Sequence, residues 1–212
     1  MTKLKNSIVG FLVSFIGSIP LGYLNIIGFE IKAKLGMKSL VFYLLGVISV
    51  EVFVIYFTLL FAKKLVANQK LMKAIDVFGI LFLLLLAYSF YSHANQTIES
   101  KANLEVYLKY SPFLAGFFLN CLNFLQLPFW TGWNLYLMNG NYISIEKKGK
   151  YYYILGTVLG TFLGMLTLVL FLQTLSENTA SFSKYIMPIV IPLFFVVLAC
   201  LQIFKVYKKY LR

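Results

Sequence analysis

The sequence predicts an all-α membrane protein of six transmembrane helices. They are arranged as two inverted three-helix repeats, with helices 1 and 4 broken near the midplane. Three observations carry this reading. Of 212 residues, 60% are hydrophobic and 12% charged, with a mean hydropathy of +0.83, whereas about a quarter of a soluble domain is charged. The apolar residues gather into six long runs. The two halves also repeat a glycine pattern at nearly constant spacing. Composition thus excludes a soluble globule, a disordered chain and a coiled coil.

A hydrocarbon core of about 30 Å takes roughly 20 helical residues. The runs that reach this length are residues 7–29, 39–62, 74–91, 112–138, 151–173 and 185–204. The first follows Lys3 and Lys5 as a signal peptide would. It is too long for a signal h-region and has no small-residue cleavage site, so it reads as a retained span. A short basic loop with Lys32, Lys34 and Lys38 leads into the second. After the third comes the longest polar connection, residues 92–111, which divides the chain into a first unit, 1–91, and a second, 112–212. The fifth carries Gly156, Gly160 and Gly164 at four-residue spacing, a stripe that suits close helix packing, a homodimer included.

All 19 basic residues fall outside these runs. Thirteen lie on the side shared by both termini and six on the other, so the positive-inside rule puts both termini in the cytoplasm. The formal net charge of +12 follows the loops between spans. It indicates topology and contact with the lipid bilayer, and no nucleic-acid partner is expected. Cys121 reads as a small buried residue, and Cys121 and Cys200 both sit in apolar runs; with the single His93 in a loop they offer neither a disulfide framework nor a metal site. No cofactor is expected.

Gly10-Phe11-Leu12-Val13-Ser14 in the first unit is matched by Gly116-Phe117-Phe118-Leu119-Asn120 in the second. Tyr43-Leu44-Leu45-Gly46-Val47 is matched by Tyr153-Ile154-Leu155-Gly156-Thr157. The step from Gly10 to Gly116 nearly equals the step from Tyr43 to Tyr153, so both matches belong to one alignment of the halves. Three spans per unit, an odd number, turn the second unit upside down relative to the first. Inverted repeats are a common ground plan of secondary transporters. Their sites lie where Gly or Pro interrupts corresponding spans. Span 1 has Pro20 and Gly22 at its centre; span 4 has Asn120, Asn123, Gln126 and Pro128. Each proline is expected to kink or unwind its helix, so that new half-helices begin near Leu21 and near Phe129. Their N-terminal N–H groups would then favour an anion at the midplane.

Glu51 is the one acid deep in a span. A charge at that depth is expensive and usually marks an ion or substrate route. Glu51 is therefore the candidate to carry a coupling proton or to meet a substrate ammonium; a protonated Glu packed between helices is the other reading. Asn25, Asn120 and Asn123 either bridge helices or line a polar cavity, and Trp130, Trp133 and Asn134 either wall it or pack. Glu30 and Asp76, near span ends, read as solvated.

Pro20-Leu21-Gly22-Tyr23-Leu24-Asn25 resembles the first-span P-x-G-P-x-N signature of the lysine-exporter (LysE/RhtB) superfamily of amino-acid exporters. Phe117, Asn120, Asn123 and the Phe129-Trp130 pair, six and seven residues after Asn123, resemble its second signature. Tyr23 and Phe124 replace two prolines of the pattern, and the usual span-2 aspartate falls on Ser49. Glu51 lies about 200° around the helix from that position, so this is a divergent member. The resemblance implies export of amino acids or similar small metabolites across the bacterial plasma membrane, driven by an ion gradient.

The expected function is thus a secondary active exporter, with Pro20, Gly22, Asn25, Glu51, Asn120, Asn123, Pro128 and Trp130 along its pathway. Two alternatives stand beside it: an inorganic cation exporter, poorly served by one buried acid, and a non-transporting membrane scaffold. An enzyme would need paired acids or a nucleophile with a base, and none is in place.

Overall fold

The computed structural model describes residues 2–19, 22–94, 111–146, 148–178 and 191–210, and every element among them is a helix. In chain order these are α1 (Thr2–Ser18), α2 (Tyr23–Ala67), α3 (Gln69–Ala94), α4 (Pro112–Cys121), α5 (Gln126–Asn139), α6 (Gly149–Asn178) and α7 (Ile191–Tyr210). Two stretches, Tyr23–Ala62 and Gly149–Leu175, are long and apolar enough to cross a membrane; the bent pair α4–α5 makes a third.

Side-chain placement is inverted relative to a soluble protein. On α1, Leu4, Ile8, Leu12 and Ile16 form an exposed stripe, while Asn6 and Ser14 are buried. On α6, Tyr151, Leu155, Leu159 and Leu163 face outward, while Tyr153, Thr157 and Thr161 face inward. Apolar stripes of this length facing outward suit lipid, and the polar residues behind them find partners within the bundle.

The expected loop 30–38 is a sharp reversal centred on one residue. Gly36 has φ 81° and ψ −178° inside α2, a conformation that other residues rarely adopt. The arms on either side fold back on one another. The Tyr43 hydroxyl donates to the Leu24 carbonyl at 2.9 Å, whereas a straight helix would separate the two residues by about 28 Å.

The break in span 4 also differs from expectation. The chain bends by 72° between Cys121 and Gln126, ahead of Pro128. Pro128 sits in the first turn of α5, where an N–H has no partner within the helix, so its absence removes no helical bond. At the start of α4, Ser111 caps the helix by accepting from the Leu114 N–H at 3.2 Å, and Pro112 follows in the first turn. Pro20 and Leu21, and the expected loop 95–110, lie outside the described residues.

α1 packs along α6, and α4 packs along the second arm of α2. The two crossings match residue for residue. A Cβ on Gly10 would run into the Tyr153 carbonyl and Thr157; one on Gly116 would run into the Tyr43 carbonyl and Val47. Gly156 lies against the Ser7 backbone as Gly46 lies against that of Phe113. The hydrogen bonds follow suit: Ser14 Oγ donates to the Thr157 carbonyl at 2.6 Å, and Asn120 Nδ2 to the Val47 carbonyl at 2.8 Å. Each of these residues in one crossing takes its counterpart in the other from the alignment that pairs Gly10 with Gly116 and Tyr43 with Tyr153.

Gly156, Gly160 and Gly164 are thus occupied by α1 within the chain. α3 and α7 pack on each other, joined by Gln202 donating to Asp76 at 3.2 Å. They meet the rest where Leu83, Ala87 and Ala199 contact Tyr23 and Ile26. Asp76 is accordingly buried, where solvation was expected. Cys121 and Cys200 face outward, and His93 lies in the last turn of α3, not in a loop.

Candidate functional site

The two helix breaks face one cavity of about 420 Å³. A break frees backbone carbonyls, which inside a membrane need donors from the protein. An amide beyond each break supplies one. Asn25 Nδ2 reaches back to the Ser18 carbonyl at 3.0 Å, and Gln126 Nε2 to the Asn120 carbonyl at 3.0 Å. Asn123 donates to Asn120 Oδ1 at 3.5 Å, a long contact. Asn120, in turn, is tied to α2 through Val47.

The first turn of α5 does not present the open anion site that the sequence suggested. The Gln126 N–H donates to the Asn123 carbonyl and the Leu127 N–H to that of Phe124. Pro128 has no N–H. The polar groups that the breaks bring to the cavity are therefore side-chain amides, those of Asn25, Asn120, Asn123 and Gln126.

Glu51 projects from the second arm of α2 into the same space and is 7% exposed. Trp130 Nε1 donates to its Oε1 at 3.2 Å. Thr161 stands against the same carboxyl, and its hydroxyl shares a hydrogen bond with Ser14. The other oxygen, Oε2, has no hydrogen-bond partner among the described residues. Among the described lining residues Glu51 is the one carboxyl group, and no Lys or Arg accompanies it. Ser49 does not line the cavity; its hydroxyl bonds the Gly46 carbonyl of its own helix.

Of the eight residues expected from sequence, Gly22, Asn25, Glu51, Asn120, Asn123 and Trp130 line the cavity. Pro128 does not, and Pro20 lies outside the described residues. A wall of amides and hydroxyls around one carboxyl, closed by Phe129, Trp130 and Tyr23, can hold a small polar solute with a cationic group against Glu51 and the ring faces.

The family model for the LysE type translocator matches residues 15–205. The chain belongs to this family. Comparison with curated proteins gave no match, and neither did comparison with solved structures. LysE type translocators are a transport family, so membrane location and transport hold for this chain at the family's level.

Sequence reasoning missed Ser14, Tyr23 and Thr161 as cavity residues of this translocator. A signal for two of them was present. In the alignment of the halves Ser14 is the counterpart of Asn120, since both stand four residues after a matched glycine. Thr161 is the counterpart of Glu51, since Glu51 follows Tyr43 by eight residues as Thr161 follows Tyr153. Extending each repeat by a few residues pairs each missed residue with one already singled out.

Proposed function

We propose that the chain is a six-span secondary transporter built from two inverted units, residues 1–91 and 112–212. It exports a small zwitterionic or cationic solute of the amino-acid class from the bacterial cytoplasm, coupled to an ion gradient, with both termini cytoplasmic. The observation that carries this reading is Glu51: a buried carboxyl that lines the cavity between two broken helices, with one oxygen held by Trp130.

The matched contacts of α1 with α6 and of α4 with α2 support the inverted repeat. Both crossings join one unit to the other, so the pairs α1–α6 and α2–α4 would each move as a body, and rocking one pair against the other would expose the cavity to either side. In this scheme Glu51 meets the solute ammonium or carries the coupling proton. The amides of Asn25, Asn123 and Gln126 orient the carboxylate end, and Trp130 holds Glu51 in place. Asn120 also fixes the break to α2 through its bond to the Val47 carbonyl.

The test is efflux of a labelled amino-acid panel from proteoliposomes, with and without an imposed proton gradient. Uphill efflux of at least one member, dependent on the gradient, is expected. No movement of any member under either condition would overturn the assignment of solute class.

A further inference from the structure

Thr58, Asn134 and Tyr153 form a second buried polar cluster, outside the cavity. Asn134 Nδ2 donates to Thr58 Oγ1 at 3.0 Å, and the Tyr153 hydroxyl donates to Asn134 Oδ1 at 2.8 Å. All three side chains are fully buried. Each continues the stripe of a cavity residue on its own helix. Thr58 follows Glu51 by seven residues, Asn134 follows Trp130 by four, and Tyr153 precedes Thr161 by eight. Those intervals keep a residue on one helix face, so the cluster lies about 10 Å beyond Glu51 along the bundle. It lies toward the end where Asn6 bonds Ser144 and Gly149.

Packing alone does not call for polar side chains here, and the other half of the molecule shows as much. The step that carries Tyr43 to Tyr153 pairs Thr58 with Leu168 and Asn134 with Leu24. There Tyr43 bonds the Leu24 backbone as Tyr153 bonds the Asn134 side chain, and the two leucines pack in an apolar cluster with Val169. The same three positions are sealed by hydrocarbon at one end and by hydrogen-bonding side chains at the other. An apolar seal resists wetting. A seal whose groups exchange their mutual bonds for bonds to water or solute opens to a polar solute at lower cost.

We infer that Thr58, Asn134 and Tyr153 are the gate through which a polar solute enters the cavity from the end that carries the N-terminus. This rests on the transport reading above. The triad is neutral, so it passes a zwitterion or a cation without selecting charge, which leaves that choice to Glu51. Leu168 and Leu24 belong to the opposite, apolar seal.

The test uses the full chain with Cys121→Ser and Cys200→Ser, because both native thiols face outward. Thr58→Cys and Leu168→Cys are introduced separately and treated in vesicles with a charged, membrane-impermeant methanethiosulfonate. Lys3→Cys reports which side the N-terminus faces. Thr58→Cys should react from the N-terminal side several-fold faster than from the other, and several-fold faster than Leu168→Cys from that same side. If Thr58→Cys is as inert as Leu168→Cys in vesicles that export solute, the triad is a helix staple and the inference fails. Reaction at Thr58→Cys in a chain that exports no member of the amino-acid panel retains the gate and removes the solute assigned to the cavity. Asn134→Cys, read in the same way, serves if Thr58→Cys does not fold.

Discussion

Trp130 and Glu51 are joined by a hydrogen bond of 3.2 Å between helices that belong to different halves of the chain. The indole N–H is a donor only, so it serves the carboxyl in either protonation state, and Glu51 keeps its position whether or not it carries a charge. Its other oxygen, buried and without a hydrogen-bond partner among the described residues, is then the variable contact for a proton or a cationic group.

Glu51→Gln should therefore abolish uphill export while leaving membrane expression intact. The amide oxygen still accepts from Trp130, and removing a charge worth roughly 2.5–3.5 kcal/mol on insertion scales does not harm folding. Gradient-driven efflux and the amount of folded protein in the membrane are the two measurements. Full uphill efflux by this variant would remove Glu51 from the mechanism. Trp130→Phe provides the graded companion: it deletes one hydrogen bond to a carboxyl, about 1.5–3 kcal/mol, and should slow efflux by roughly tenfold or more.

The helix crossings make a separate prediction, independent of substrate. Gly46→Ala, Gly116→Ala and Gly156→Ala each push a methyl group into the backbone of the facing helix. Each should lower stability by about 1–3 kcal/mol, as overpacking does. Gly132 is the control, because a Cβ there meets nothing within 4 Å. Gly132→Ala should be neutral or stabilising by up to about 1 kcal/mol, since alanine favours helix. Thermal unfolding in detergent separates the two groups, and equal melting temperatures across all four variants would contradict the packing described.

Much of this arrangement was legible in the sequence. The apolar runs located the helices because a membrane forces long uninterrupted segments. The pairing of Gly10 with Gly116 and of Gly46 with Gly156 marked the repeat, and the structure puts these glycines at the crossings, where only small residues fit. Asn25, Asn120 and Glu51 stood out because polar groups are scarce there. Three features were not legible. Gly36 was hidden in a basic stretch that read as a loop, since the reversal depends on one backbone dihedral. The break before α5 was assigned to Pro128, because a proline alone does not reveal whether it ends one helix or begins the next. Asp76 looked solvated from its distance to the span end, yet its partner, Gln202, lies on α7, far along the chain.

The correction at Pro128 makes its own prediction. Pro128→Ala should leave the bend and the export activity unchanged, because the proline sits where an N–H would have no helical partner. Asn120→Ala should instead loosen the break: it deletes the bond to the Val47 carbonyl. A loss of about 1–2 kcal/mol in stability is expected. Melting temperature with efflux rate reads both variants. If Pro128→Ala proved the more damaging, the first turn of α5 would have to begin later than Gln126.

The matched halves lead to the sharpest experiment. Glu51 and Thr161 are counterparts in the alignment of the two units, and both line the same cavity from opposite units. A carboxyl moved from one position to the other stays within the cavity and changes only the unit that carries it. Glu51→Thr alone removes the carboxyl and should be inactive. Glu51→Thr combined with Thr161→Glu restores it from the second unit and should recover a measurable fraction of gradient-driven efflux, although Trp130 then loses its acceptor. Recovery would mean that the cavity needs one carboxyl more than it needs that particular helix. A double variant that is folded and as inactive as Glu51→Thr alone would show that the Trp130 contact, and not the mere presence of an acid, sets the requirement.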